Sequence, residues 1–488
     1  MPVLAALLGA AALAATGLAA ARGGGQRVGE NIRVNPAGPI DASNSPSLVR
    51  NPGDPNNLVL AHRVDKPRFS AAVEWSGDGG RSWQQSPLPL PTGSDRPYAP
   101  DVAFAPDGRL YAAYVNLQGV GNQPANVWLA LSQDGGRSFS SPVRVSGPLA
   151  FGVRVAVDRR GQIHLTWVQA AAVGSRSFTG SPNPVVAVRS ADGGRTFGPA
   201  VTVSDRDRPR VGGASPVIDA GGRLLVLYQD FRDDRRDFEN LEGPPWEGTF
   251  ALVLTSSDDG GRTFRPGIVV EPAVVPSRRF LVFAPVFPSL AAGADGPLYV
   301  SWADARNGDL DVFVRKSADG GSTWSTPVRV NDSPLGDGTS QYLPSVAVAP
   351  TGRVDVVFLD RRADPSDVRT EATAAFSFDM GGSFDNIRLS SASFDSRIGP
   401  VVDQALGVDF GSRLAVLAGE HQTIAAWTDS RLGSSTTFRQ DIVAAAVAPR
   451  PSPSSSLRLG LALSGVALLI AWFLLRRGAA PLAGPPAT

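Results

Sequence analysis

Aspartate and arginine recur together in this chain in a fixed phrase, aromatic-x-Asp-x-Arg. It appears as Tyr228-Gln-Asp230-Phe-Arg232, Trp302-Ala-Asp304-Ala-Arg306, Phe358-Leu-Asp360-Arg-Arg362 and Trp427-Thr-Asp429-Ser-Arg431. A guanidinium is a planar fork that grips a carboxylate through two parallel hydrogen bonds, and a carboxylate in turn accepts from hydroxyls. Four such couples converging on one depression would suit an acidic, hydroxyl-rich ligand. The same spacing also serves architecture, with Asp bonding the amides of its own loop and Arg of the same or next unit. Both readings stand at the level of sequence.

Other candidate chemistry is thinner. The stretch from Asp230 to Glu247 is strongly acidic and reads as a lid or as a calcium loop, with Asp233, Asp234, Asp237 and Glu239 as oxygen ligands. Its interleaved arginines compete for the same carboxylates, so a salt-bridged solvated loop is the plainer account, and no cofactor is expected. His62, His164 and His421 lack metal-ligand spacing, and with no cysteine there is neither thiolate site nor disulfide. A Gly-x-Ser-x-Gly elbow and a phosphate-loop lysine are both missing.

The elements that must position these residues announce themselves through a second phrase, Ser-x-Asp-x-Gly-x-(Ser/Thr)-(Trp/Phe). Its six copies begin at Ser76, Ser132, Ser190, Ser257, Ser317 and Ser377, in steps of 56, 58, 67, 60 and 60 residues. Each reads as a tight turn between strands. Short Ser and Asp side chains satisfy the turn's amides, Gly takes positive φ, and the final aromatic returns the chain to the sheet. The aspartates are Asp78, Asp134, Asp192, Asp259, Asp319 and Asp379. A repeat of this period with strand-like sequence between the copies predicts a repeated β unit.

These octapeptides resemble the Asp box, and residues 27–448 resemble the Asp-box (BNR-repeat) β-propellers of the sialidase superfamily. The resemblance implies an all-β propeller whose boxes lie on the face away from the ligand. It also implies a chemistry to look for: arginines on a substrate carboxylate, a tyrosine nucleophile with a glutamate base, and an aspartate acid/base. Of the rim tyrosines Tyr98, Tyr228 and Tyr342, the last is the nucleophile candidate, with Glu371 as its base.

Between boxes the grammar is four strands per unit, A to D. A-type strands begin near Ser47, Asp101, Val153, Pro216, Ser289, Ser345 and Arg413, seven in all. The seventh unit lacks a box and a D strand, whereas Glu30-Asn-Ile-Arg-Val-Asn35 reads as a D strand without a unit. Pairing the two ends removes an exposed sheet edge and predicts seven blades closed by an N-terminal strand, with a six-bladed sialidase-type ring as the alternative. Boxes join C to D, so B-to-C and D-to-A connections share the opposite rim, where the Asp-x-Arg phrases fall.

The ends set the expected compartment. Residues 1–21 read as a signal peptide. Residues 449–456 form a Pro/Ser linker, 457–475 a transmembrane helix and 476–488 a cytoplasmic tail, with Arg476 and Arg477 kept inside. The expectation is a single-pass membrane protein with an extracytoplasmic propeller. A net charge of +1 gives no general pull toward nucleic acid or anionic lipid, and 44 of the 46 basic residues are arginine. Three functions remain: a propeller recognising glycan or a cell-surface ligand at its central depression, an exo-α-sialidase-type glycoside hydrolase with an altered active site, and a protein-binding scaffold of a membrane complex.

Overall fold

Seven stretches patterned like Leu298-Tyr-Val-Ser-Trp-Ala-Asp304 become the second strand, B, of seven antiparallel sheets. They are Asp54–Val64, Leu110–Gln118, Ile163–Gln169, Leu224–Asp230, Leu298–Asp304, Val354–Asp360 and Thr423–Asp429. Their side chains are almost wholly buried, because both faces of a blade pack on neighbouring blades; such strands read as continuous apolar runs rather than as an alternation. One register position carries the largest rings: Tyr114, Trp167, Tyr228, Trp302, Phe358 and Trp427 are fully buried there. Blade one places His62 at this position instead. Each such aromatic contributes about 3 kcal/mol by leaving water.

In the computed structural model, residues 26–91, 96–119, 122–171, 183–231, 249–275, 288–403 and 407–451 are described. Residues 28–448 form one compact unit of seven blades, so the six-bladed alternative does not hold. Adjacent blades share apolar layers: Val59, Ala61 and Val73 of blade one pack on Val102, Leu110 and Ala112 of blade two. The ring closes as the sequence predicts. Ile32–Arg33 pairs antiparallel with Asp441–Ala448, Ile32 opposite Ala444 and Arg33 opposite Val443. The side chain of Asn35 then accepts from the Ile442 amide at 2.7 Å.

All six octapeptides form the same turn. Ser76 donates to Asp78 at 2.7 Å and accepts from the Gly80 amide at 2.9 Å, while Asp78 accepts from the Ser82 amide at 3.0 Å and its hydroxyl at 2.6 Å. In the second to sixth boxes the glycine at the fifth position touches the preceding blade. A β-carbon on Gly136 would sit 2.7 Å from Val59 Cγ2, and one on Gly321 2.7 Å from Leu254 Cδ2. Glycine is required there by close approach as well as by positive φ.

The signal peptide at 1–21, the transmembrane helix at 457–475, the tail at 476–488 and most of the linker lie outside the described residues, as do Arg232, Asp233, Asp234, Asp237 and Glu239. No helix among the described residues is long and apolar enough to cross a membrane.

Candidate functional site

The innermost strand, A, of each blade lines the propeller axis. These strands are Ser43–Asn51, Pro97–Phe104, Ala150–Val157, Val211–Ile218, Ser289–Ala292, Gln341–Val348 and Ala415–Ala418. In five blades the A–B ladder is interrupted near its rim end, leaving two A residues unpaired. The first of the two has positive φ in every case: Ser45, Ala99, Gly152, Gly213 and Leu343. Such a bulge turns backbone carbonyls toward the axis and fixes which side chain follows them into it.

The residue that follows each bulge stands opposite the fourth residue of the core B-strand segment. Taken through the seven blades in order, this register position holds Ser47, Asp101, Arg154, Ser215, Ser289, Ser345 and Ala415. All seven line one axial cavity of about 210 Å³. Its wall is uneven. Four serines of this register position face it from blades one, four, five and six, Ser412 lines it beside Arg413 in blade seven, and the charged groups Asp101, Arg154 and Arg413 belong to blades two, three and seven.

Arg413 reaches across the axis from the start of blade seven. Its Nε donates to the carbonyls of Ser45 and Pro46, both at 3.1 Å, and its Nη2 to the Pro100 carbonyl at 2.6 Å. It therefore ties three blades together through carbonyls of the bulged backbone. Asp101 lies 3.7 Å from Arg413 Nη2 and 3.3 Å from Arg154 Nη1. It also accepts from Ser47 Oγ at 2.6 Å and from the Val155 amide at 3.0 Å. Burial, followed by repulsion from Arg154, pulls the Arg413 guanidinium down to about 9. Two cations share one carboxylate, leaving the described residues of the cavity wall with one positive charge in excess. Arg154, whose side chain is 25% exposed, meets Asp101 through one nitrogen, and its other donors point to no acceptor among the described residues. Donors of this kind beside an unbalanced charge are what an anionic ligand requires.

The Asp-x-Arg phrases lie on the expected rim but do not converge on the cavity. Asp304 accepts from the Arg306 amide at 2.9 Å, from its Nε at 2.9 Å and from Trp302 Nε1 at 3.2 Å. Asp360 with Arg362, and Asp429 with Arg431, repeat the turn. The outer ends of these arginines clasp neighbouring structure. Arg306 reaches Glu271 of the preceding blade, Arg362 reaches Asp332 and Asn386, and Arg431 reaches Ser391 and Asn31. Asp230 pairs with Arg208 at 2.5 Å. The described members of the proposed ligand ring thus fasten turns and blade boundaries, and none lines the axial cavity.

Tyr342 and Glu371 are not brought together either. Tyr342 stands opposite Leu359 and Leu359 opposite Ala372, whereas Glu371 stands opposite Asp360. Adjacent strand positions face opposite sides of a sheet, so the two candidates point apart. The Tyr342 hydroxyl donates to Ser396 at 2.9 Å beneath the Arg361 guanidinium, and Glu371 pairs with Arg388 at 2.9 Å. Burial raises the Glu371 carboxyl, against the pull of Arg388.

A second polar cluster sits near the rim between blades one, two and seven. Arg63 bonds Asp65 at 2.8 Å and Asp409 at 2.5 Å, and Tyr98 donates to Asp65 at 2.8 Å. Burial pushes the Tyr98 hydroxyl well above its ordinary range. This cluster is closed and charge-rich rather than open to a ligand. Among the described residues no group of three His, Asp or Glu could hold a metal ion. No repeated phrase marks Asp101, Arg154 and Arg413; the signal that finds them is their place beside the axis relative to the B-strand register.

No family model matches the chain, and no curated protein does. Solved structures with a similar chain course include sialidases. A protein of unknown function from Dyadobacter fermentans is 14% identical, over 87% of this chain and 100% of that one, with a TM-score of 0.46. The Hadza microbial sialidase Hz136 is 16% identical over 81% of this chain and 74% of its own, with a TM-score of 0.43. An ulvan lyase of polysaccharide lyase family PL25 is 10% identical over 85% and 95%, with a TM-score of 0.48.

Proposed function

We propose that this is a membrane-anchored, extracytoplasmic propeller that recognises an acidic glycan at its axial cavity. One observation carries the reading: Arg154 and Arg413 converge on the axis with a single carboxylate between them, opposite an arc of serines. A carboxylate on a sugar ring would occupy the free guanidinium donors, and its hydroxyls would meet Ser215, Ser289 and Ser345, which both donate and accept. The anchoring part of the reading draws on the uncharged stretch Leu459–Leu475 followed by Arg476 and Arg477.

The test is a binding titration of the purified chain against matched acidic and neutral oligosaccharides, with and without Arg154→Ala. The acidic set is expected to bind, and the variant to lose at least about tenfold in affinity, the equivalent of ~1.4 kcal/mol. Equal binding of neutral and acidic sugars, or an unaffected variant, would remove the axial site from consideration. A fluorogenic sialoside run alongside separates recognition from hydrolysis. With Tyr342 and Glu371 on opposite faces of their sheet, turnover is not expected from that pair.

A further inference from the structure

Asp101 is an unusual occupant of a cavity read as an anion site. It is a carboxylate, 7% exposed, held on the axis by four neighbours: the Ser47 hydroxyl, the Val155 amide and the guanidinium groups of Arg154 and Arg413. Ser47 and the Val155 amide come from blades on either side of its own, so its position is fixed by the closed ring rather than by a flexible loop. Among the described residues no histidine or lysine lines the cavity, and Asp101, Arg154 and Arg413 are its charged lining. Further out, the Arg63 guanidinium bonds two carboxylates, Asp65 and Asp409, and burial raises the Asp409 carboxyl toward its neutral form.

We infer that Asp101 is a specificity-determining residue that sets the charge of the ligand: the axial site takes a singly charged sugar acid, a carboxylate or sulfate ester, and rejects a dianion such as a phosphate monoester. The inference rests on the anion-site reading of the cavity and sharpens it. Two guanidinium groups and one fixed carboxylate leave one positive charge. A monoanion brings this wall to neutrality. A dianion leaves one uncompensated negative charge next to Asp101 in a confined space, where like charges repel more strongly than in water. If Asp101 were a serine or alanine, as at most equivalent positions of the ring, the two arginines would suit a dianion. Its presence on the axis is what changes the selection.

The experiment uses three probes of one size against the full chain: glucuronate and glucose 6-sulfate, both singly charged, and glucose 6-phosphate. The phosphate is mostly dianionic at pH 7.5 and gains a proton as pH falls through about 6. Saturation-transfer NMR or calorimetric titration is expected to rank both monoanions above the phosphate by about tenfold or more at pH 7.5. Asp101→Asn keeps the side chain's shape and an acceptor oxygen while removing the charge, and is expected to erase or reverse that ranking. Titration of wild-type protein at pH 5.5 gives a check independent of any variant: the phosphate gains affinity relative to the sulfate, whose charge does not change. A wild type that binds the dianion as well as the monoanions overturns the inference, as does an Asp101→Asn protein with the wild-type ranking. If Arg154→Ala still abolishes acidic binding in that case, the anion site stands and only the charge selection falls. If no probe binds at all, both fall.

Discussion

The six octapeptide turns and the seven-fold axial ring belong to one chain, yet they obey opposite rules. Six turns repeat the same Ser, Asp, Gly and aromatic residues, and the first Ser and the Asp side chains are spent on the turn itself, as with the two oxygens of Asp78. The axial ring repeats a position and not a residue. Serine, aspartate, arginine and alanine occupy one register place, and some donors there have no acceptor among the described residues. Repetition in this fold marks what each blade needs to stand. Departure from repetition, at a place where geometry is held constant, marks what the whole ring presents to a ligand.

That contrast is open to measurement. The largest effect is expected from a repeated position: Trp302→Ala removes a fully buried ring and should cost about 4 kcal/mol in denaturant unfolding. Arg154→Ala should do the reverse, leaving stability within about 0.5 kcal/mol while acidic-glycan affinity drops about tenfold. If Arg154→Ala proves as destabilising as Trp302→Ala, the ring is architecture and the contrast fails. A smaller effect separates the rim from the axis. Arg306→Ala loosens the clasp on Glu271 and should lower stability by about 1 kcal/mol with unchanged affinity; a loss of binding in this variant would return the Asp-x-Arg phrases to the ligand site.

The smallest effect is one of pH. The carboxyls of Asp78 and Asp319 are held down to about 2, chiefly by the hydroxyls of Ser82 and Thr323. A group with a folded value below its ordinary 3.8 adds stability that is complete above 3.8 and is lost as pH falls toward the folded value. Stability should therefore decline between pH ~4 and ~2. In the double variant Asp78→Asn, Asp319→Asn that slope should be shallower, read as unfolding midpoints across an acid series. An identical slope would mean that these turns do not couple to global unfolding.

Much of the fold was legible because its signals are local. An octapeptide carries its own hydrogen-bond partners within eight residues, and the B-strand aromatics recur whatever lies around them. Counting seven A strands against six boxes was enough to foresee that Ile32–Arg33 would pair with Asp441–Ala448. The site was less legible, and for a physical reason. Asp304 and Arg306 look like ligand groups in sequence, yet they lie close enough along the chain to satisfy one another first, with Trp302 as a third partner. Asp101 and Arg413 are more than three hundred residues apart and meet only because the ring closes. The pairing of Tyr342 with Glu371 fails on strand parity, which depends on the bulge that leaves Leu343 and Pro344 unpaired.

The seam between the chain's two ends has a consequence for how the molecule comes to exist. Asn35 and Ile442 are bonded neighbours although 407 residues separate them, so the last sheet has to wait until nearly all of the polypeptide has been made. Until then the first D strand has no partner and blade seven has a bare edge, the kind of exposed pairing surface that recruits other chains. Arg413, whose contacts reach into blades one and two, is delivered in the same late step. The axial cavity is therefore assembled only on completion, and a truncated product would carry well-formed blades but no centre.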